Sequence, residues 1–178
     1  MTAHIEGSPT TPSDGETALY QRWAHDAAVG LASLAPAMTA APTPLSPQLA
    51  RAAQATENTW REIDAEFGLL SSTEAAETMG YGANRTWAAA NRKNGRLLGV
   101  RRGGGFRYPG FQLTPDVLPV IAHLIDIARQ NAWSAESVVL WLCSPSGWLA
   151  DDHRPVDLLA EEPHAVLEAA SSAMAAHW

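Results

Sequence analysis

The segment between residues 69 and 108 constrains the fold most, because its glycines and capping residues mark where short elements begin and end. Ser71 and Glu74 form a capping-box pattern, in which each side chain can bind a backbone amide at the start of a helix. Gly80 is a typical C-terminal stop for that helix, and a second helix is predicted over residues 84–93. The pattern therefore predicts two short helices joined by a glycine-containing turn.

A β-hairpin is predicted directly after these helices. Residues 97–100 are typical of a strand, residues 103–105 are three glycines that permit a sharp turn, and the returning strand stops at Pro109. Two short helices followed by a hairpin with arginines at its tip are the pattern of a winged helix-turn-helix. The predicted fold class is mainly α: a winged helix-turn-helix with a small β-hairpin, plus a small C-terminal helical domain.

The flanking segments complete the predicted domain organisation. Residues 1–16 lack apolar periodicity and are predicted to be a disordered tail. Residues 17–68 are predicted to form N-terminal helices, and a heptad seam over residues 49–67 could pack against the preceding helix or form a dimer. Residues 69–113 are the predicted DNA-binding module, and residues 114–178 the C-terminal helical domain.

The C-terminal segment shows clear helical periodicity. Apolar residues fill about half the circumference of a predicted helix over residues 117–128, with Asp116 as its expected N-cap. Ser134 is the expected N-cap of the following helix, and Pro163 is expected to open the last one.

Charge is distributed unevenly along the chain, although the net charge is −7. Residues 69–108 hold seven Lys and Arg side chains against Glu74 and Glu77, whereas residues 109–178 hold nine acids against two bases. A phosphate backbone responds mainly to local charge, because salt screens charges beyond about 8 Å. Such a cluster could equally be a solvated face, but its coincidence with the helix-and-hairpin pattern favours DNA binding.

The second helix of a helix-turn-helix enters the major groove, where Arg can pair with guanine and Asn with adenine. Lysines and further arginines on the hairpin suit phosphates. The predicted DNA-contacting residues are Asn84, Arg85, Thr86, Asn91, Arg92, Lys93, Arg96, Arg101, Arg102 and Arg107.

Residues 69–113 resemble the winged helix of the MerR and excisionase type. The resemblance lies in the Thr-Glu-Ala-Ala start, the Gly-Arg-Leu-Leu step and the closing Arg-Tyr-Pro of "LLSSTEAAETMGYGANRTWAAANRKNGRLLGVRRGGGFRYPGFQL". Where that family usually has a Gly-Val-Ser turn, this chain has Tyr81-Gly82-Ala83. The resemblance implies a DNA-binding winged helix.

The C-terminal sequence "WLCSPSGWLADDHRPVDLLAEEPHAVLEAA" is similar to the Xre/MbcA/ParS-like toxin-binding domain of bacterial antitoxins. Matching positions include Trp141-Leu142, Ser144-Pro145, Arg154-Pro155 and Asp157-Leu158-Leu159, whereas Ala150-Asp151 replaces the usual Gly-Gly. The resemblance implies a partner, a RES-domain toxin that consumes NAD and is held inactive by this segment.

On that resemblance, five residues are expected at the toxin interface. Arg154 and Asp157 would fix the turn that aims the last helix, and Glu161, Glu162 and Trp178 would meet the toxin. The last helix would cover the NAD pocket, or alternatively it only completes the core of its domain.

Catalysis finds little support in the sequence, and no catalytic residue, metal site or cofactor is predicted. The six histidines are scattered without a ligand-pair spacing, and Cys143 is the single cysteine. No apolar run approaches the roughly 20 residues that a membrane span needs, and residues 1–16 do not have the pattern of a signal peptide. A cytoplasmic protein, nucleoid-associated when bound to DNA, is expected.

These expectations combine into one functional hypothesis and two alternatives. The hypothesis is a type II antitoxin that neutralises a RES-type toxin and represses its own operator as a homodimer on double-stranded DNA. The first alternative is a stand-alone transcription or nucleoid factor without a toxin partner. The second is a scaffold or cargo adaptor whose arginines bind an acidic protein.

Overall fold

The computed structural model describes residues 46–176. The predicted tail, the first predicted helix and Trp178 lie outside this range. Within it the chain is mainly helical, as predicted, with a small antiparallel sheet. The elements are α1 (Pro47–Phe67), β1 (Leu69–Leu70), α2 (Ser72–Thr78), α3 (Arg85–Lys93), β2 (Val100–Arg102), β3 (Gly105–Pro109), α4 (Leu118–Gln130), α5 (Ala135–Leu142), α6 (Pro155–Leu158) and α7 (Pro163–Ala175).

Helix α1 is long but only partly buried. Its N-terminus is capped by the Ser46 side chain, which accepts from the backbone N–H of Leu49, and its C-terminus ends at Gly68 with φ of 76°. Trp60 and Ile63 are buried in the core. The N-terminal half of the predicted heptad seam is at most half-buried, and its role in a dimer stays a prediction.

The sheet has three strands in the order β1-β3-β2, and both pairings are antiparallel. Gly103 and Gly104, with φ of 59° and 80°, form the hairpin turn that the glycine triplet predicts. Strand β2 begins at Val100, so the prediction of a strand from residue 97 is wrong. The polar backbone groups of Leu98 bind the Gln112 side chain instead of a neighbouring strand.

One hydrophobic core runs through the predicted boundary at residue 113. Trp60 of α1 and Val100 of β2 belong to the same cluster as Ile121 of α4 and Leu142 of α5. A smaller cluster, with Ala75, Ala88 and Tyr108 at its centre, lies between α2, α3 and β3. Residues 114–176 therefore share their core with the preceding segment, and we do not expect a fragment beginning at residue 114 to fold alone.

The C-terminal helices begin as predicted in two of three cases. Ser134 caps α5 by accepting from the backbone N–H of Ser137, and Pro163 opens α7. Asp116 does not cap α4, because the preceding turn continues to Leu118, whose N–H binds the carbonyl of Thr114. Helix α7 buries Val166, Ala170 and Met174 against the core, and so it completes the fold.

Candidate nucleic-acid interface

The two helices of the DNA-binding prediction are set by local capping and small side chains. Ser71 and Glu74 form the predicted capping box, with Glu74 Oε2 2.7 Å from the backbone N of Ser71. Ala75 of α2 and Ala88 of α3 are fully buried in one cluster. Because neither side chain extends beyond Cβ, the two helices can pack closely, and α3 is held firmly at the surface.

The outward face of α3 carries small or basic side chains. Thr86, Ala90 and Lys93 are exposed, and their spacings of four and three place them on one side of the helix. Arg85 is exposed at the first position of the helix. The Asn84 side chain caps the helix by accepting from the backbone N and the hydroxyl of Thr86, so it is engaged within the chain.

Asn91 and Arg92, both predicted to contact DNA, turn towards the interior. The Asn91 amide donates to the carbonyl of Trp87 at 2.9 Å. The Arg92 guanidinium lies 3.6 Å from the centroid of the Phe106 ring, a stacked cation–π contact. Both positions follow the buried Ala88 by three or four residues, and so they share its inward side of α3.

The hairpin arginines differ in their surroundings. Arg101 is exposed, whereas the Arg102 Nη2 atom lies 2.6 Å from both carboxylate oxygens of Glu57, and its guanidinium is 5.0 Å from the Trp60 ring. Arg102 therefore fastens the hairpin to α1, and we no longer expect it to contribute a phosphate contact. Arg107 is half-buried.

Arg107 also lies within electrostatic reach of a carboxylate. The pKa of Glu74 is lowered mainly by hydrogen bonds from the backbone and the side chain of Ser71, and the positive charge of Arg107 lowers it further. Part of the Arg107 charge is thus balanced inside the module. The predicted basic residues that remain exposed without a described ion pair are Arg85, Lys93, Arg96 and Arg101.

An aromatic pair that the sequence did not single out lies in the turn before α3. Tyr81 is 56% exposed and stacks on Trp87, with ring centroids 5.0 Å apart and an interplanar angle of 22°. Tyr81 and Trp148 are the large hydrophobic side chains that are exposed within residues 46–176, and Tyr81 lies beside the start of α3. The signal in the sequence was the tyrosine at the centre of a turn, where a polar residue is usual.

The predicted toxin-binding residues fall into two groups. Arg154 pairs with Asp157 at 2.7 Å and with Glu66 of α1 at 2.8 Å, and these bonds tie the turn before α6 to α1. Glu161 and Glu162 are exposed, and they line a cleft of about 660 Å³ together with Trp148, Asp151 and Glu168. Trp148 is 57% exposed and was missed, because its sequence context resembles a buried turn.

The Arg154 network predicts a specific dependence of stability on pH. Hydrogen bonds from Arg154 lower the pKa of Glu66 and of Asp157 below their ordinary values of 4.5 and 3.8. A lowered folded-state pKa contributes stability above the ordinary value, and this contribution is lost as the pH falls through the folded-state value.

Replacing Arg154→Met should therefore lower the free energy of unfolding at neutral pH by about 1 kcal/mol. It should also flatten the loss of stability between about pH 5 and about pH 2. Denaturant unfolding across this range measures both effects, with Arg51→Met, an exposed arginine on α1, as the control. Equal pH profiles for the native and Arg154→Met proteins would contradict the assigned pKa shifts.

Between residues 46 and 176, no three side chains of His, Cys, Asp or Glu come together as metal ligands. Burial raises the pKa of the Cys143 thiol to about 12, which keeps it protonated at neutral pH. None of the helices in this range has the length and apolar character needed to cross a bilayer.

Comparison with known protein families, with characterised proteins and with solved structures finds no match to this chain.

Proposed function

We propose that the protein binds duplex DNA through α3 and the β2–β3 hairpin, as a winged helix-turn-helix. The observation that carries this proposal is the outward face of α3, where Thr86 and Ala90 are small and exposed beside Lys93. Further exposed basic side chains are Arg85 at the start of the helix, Arg96 in the turn after it and Arg101 on the hairpin. Small side chains allow a helix to approach the floor of the major groove, and the basic side chains suit contacts with phosphates.

Selection from a random-sequence duplex library tests this proposal with the full chain. An enriched sequence is expected, and an inverted repeat in it would support a homodimer, since two-fold protein symmetry matches a palindromic site. Arg85→Gln should then change the preferred base at one position in each half-site, and it should weaken the free energy of binding to the native site by about 1–3 kcal/mol. Selection that enriches no sequence would contradict specific DNA binding.

A second proposal concerns the cleft between Trp148 and α7. An exposed tryptophan beside Asp151, Glu161, Glu162 and Glu168 suits a basic partner surface, and a pocket that binds an anionic dinucleotide is itself electropositive. Together with the resemblance of the C-terminal sequence to toxin-binding domains, this supports an antitoxin that binds a RES-type toxin and represses its own operator. The competing hypothesis, a stand-alone DNA-binding factor, requires no occupant of this cleft.

The toxin proposal is tested by NAD consumption. Met174 is buried in the core, and so removing the end of α7 would unfold the protein rather than test a contact. The better variant combines Trp148→Ala with Glu161→Gln and Glu162→Gln, and its control combines Glu62→Gln with Glu77→Gln on exposed faces of α1 and α2. Only the first should relieve inhibition of a co-expressed RES-type toxin. Full inhibition by both variants would show that the toxin does not bind this cleft, and no inhibition by the native protein would favour the stand-alone factor.

A further inference from the structure

A second pocket lies on the inner side of α3, away from the proposed DNA-binding face. Its volume is about 250 Å³, and it is bounded by α3, the loop of residues 97–99, α4 and α5. Arg92 and Arg129 line it together with the apolar side chains of Leu97, Ile125 and Val138. The lining thus combines cationic groups with an apolar wall, which is the usual composition of a small-molecule site.

Arg92 carries a polar atom without a partner at this pocket. Its Nε atom is buried and makes no hydrogen bond, and none of the ion pairs within residues 46–176 includes Arg92. A buried donor without an acceptor is rare in folded proteins, because its loss of hydration is not compensated. The stacking of its guanidinium on Phe106 fixes the plane of the group but supplies no acceptor for the N–H.

Two glycines leave room for the arginine side chains. A Cβ atom at Gly99 would lie 2.5 Å from Cδ of Arg92, and one at Gly95 would lie 2.7 Å from Nη1 of Arg129. The nearest carboxylate to Arg129 is that of Asp126, at a long distance of 3.8 Å, so the Arg129 charge is weakly balanced. The backbone therefore accommodates two guanidinium groups at one pocket without a close carboxylate.

We propose that this pocket binds a small organic carboxylate, whose oxygens accept from Arg92 and Arg129 and whose apolar body packs on Leu97, Ile125 and Val138. A guanidinium binds a carboxylate through charge-assisted hydrogen bonds, which would balance the charges of Arg92 and Arg129. The volume is at the lower end for ligand sites, so it fits a molecule of the size of benzoate and excludes a nucleotide.

The proposal is independent of DNA binding and is tested with benzoate as the probe. Calorimetric titration of the full chain should show saturable benzoate binding, and benzyl alcohol, which has the same ring without the charge, should bind at least about tenfold more weakly. Arg92→Gln should weaken benzoate binding by about tenfold or more. Arg51→Gln, the same change of charge on an exposed face of α1, should leave it unchanged.

A second variant protects the test against a loss of folding in Arg92→Gln. Ala135→Leu places extra volume in the pocket and keeps both arginines, so it should also weaken benzoate binding while circular dichroism stays native. Equal binding of benzoate and benzyl alcohol, native affinity in either pocket variant, or no saturable binding of benzoate would overturn the proposal.

Discussion

Replacing Gly110 by alanine is expected to destabilise the protein by about 3 kcal/mol, because the new methyl group would collide with backbone. A Cβ atom at Gly110 would overlap the carbonyl oxygen of Phe67 at the end of α1. The Gly110 N–H also donates to the carbonyl of Gly68, at 3.0 Å, so the two chain segments cannot separate without losing a hydrogen bond. Neither atom in the collision belongs to a flexible side chain, and the strain must be taken up by the backbone.

Gly105→Ala is the matched control for this prediction. Gly105 begins strand β3, whose last residue precedes Gly110; its φ is not positive, and a Cβ atom there would meet nothing within 4 Å. The free energy of unfolding of Gly105→Ala should differ from that of the native protein by less than about 0.5 kcal/mol. Denaturant unfolding of both variants measures the difference, and equal stabilities would show that Gly110 and the end of α1 do not approach each other as described.

Gln112→Met should lower the free energy of unfolding by about 3 kcal/mol for a different reason, because buried hydrogen bonds are lost. The Gln112 side chain accepts from the Leu98 N–H at 2.7 Å and donates to the carbonyls of Leu98 and Pro109, at 3.0 and 3.1 Å. Gln112 is fully buried, so water cannot replace these bonds. Methionine has a similar shape and leaves the backbone groups without partners.

The same substitution at Gln54, on an exposed face of α1, provides the comparison. Gln54→Met should change the free energy of unfolding by less than about 0.5 kcal/mol. If Gln112→Met were as stable as Gln54→Met, the side chain would not be what holds residues 97–99 out of the sheet.

Predictions from the sequence succeeded where the deciding interaction is local. The caps of α2 and α5 join residues three positions apart, and the glycine turn of the hairpin depends on backbone conformation alone. The Gln112–Leu98 bonds and the Arg102–Glu57 pair join residues 14 and 45 positions apart. Such pairings leave no periodic signal, and for this reason the start of β2 was predicted wrongly and the ion pair of Arg102 with Glu57 was not predicted.

The same distinction between local and long-range interactions applies to the candidate DNA site. The sequence identified the basic segment, but composition does not show which side of α3 each residue occupies. Ala88 marks the inner side of α3, because it is a small residue that fits a helix–helix contact. Asn91 and Arg92 follow it by three and four positions, and so they lie on the same inner side. The exposure of Trp148 could not be predicted, since it depends on tertiary packing that leaves no signal in the local sequence.

The salt dependence of affinity tests most directly whether DNA binds the exposed basic side chains of α3, of the turn after it and of the hairpin. Each lost phosphate contact reduces the slope of log affinity against log salt concentration by about 0.9. Lys93→Gln, Arg96→Gln and Arg101→Gln should each lower the slope by about this amount, whereas Arg102→Gln, whose guanidinium is held by Glu57, should not. A native slope in the triple variant Lys93→Gln, Arg96→Gln and Arg101→Gln, or an equal loss in Arg101→Gln and Arg102→Gln, would contradict the claim.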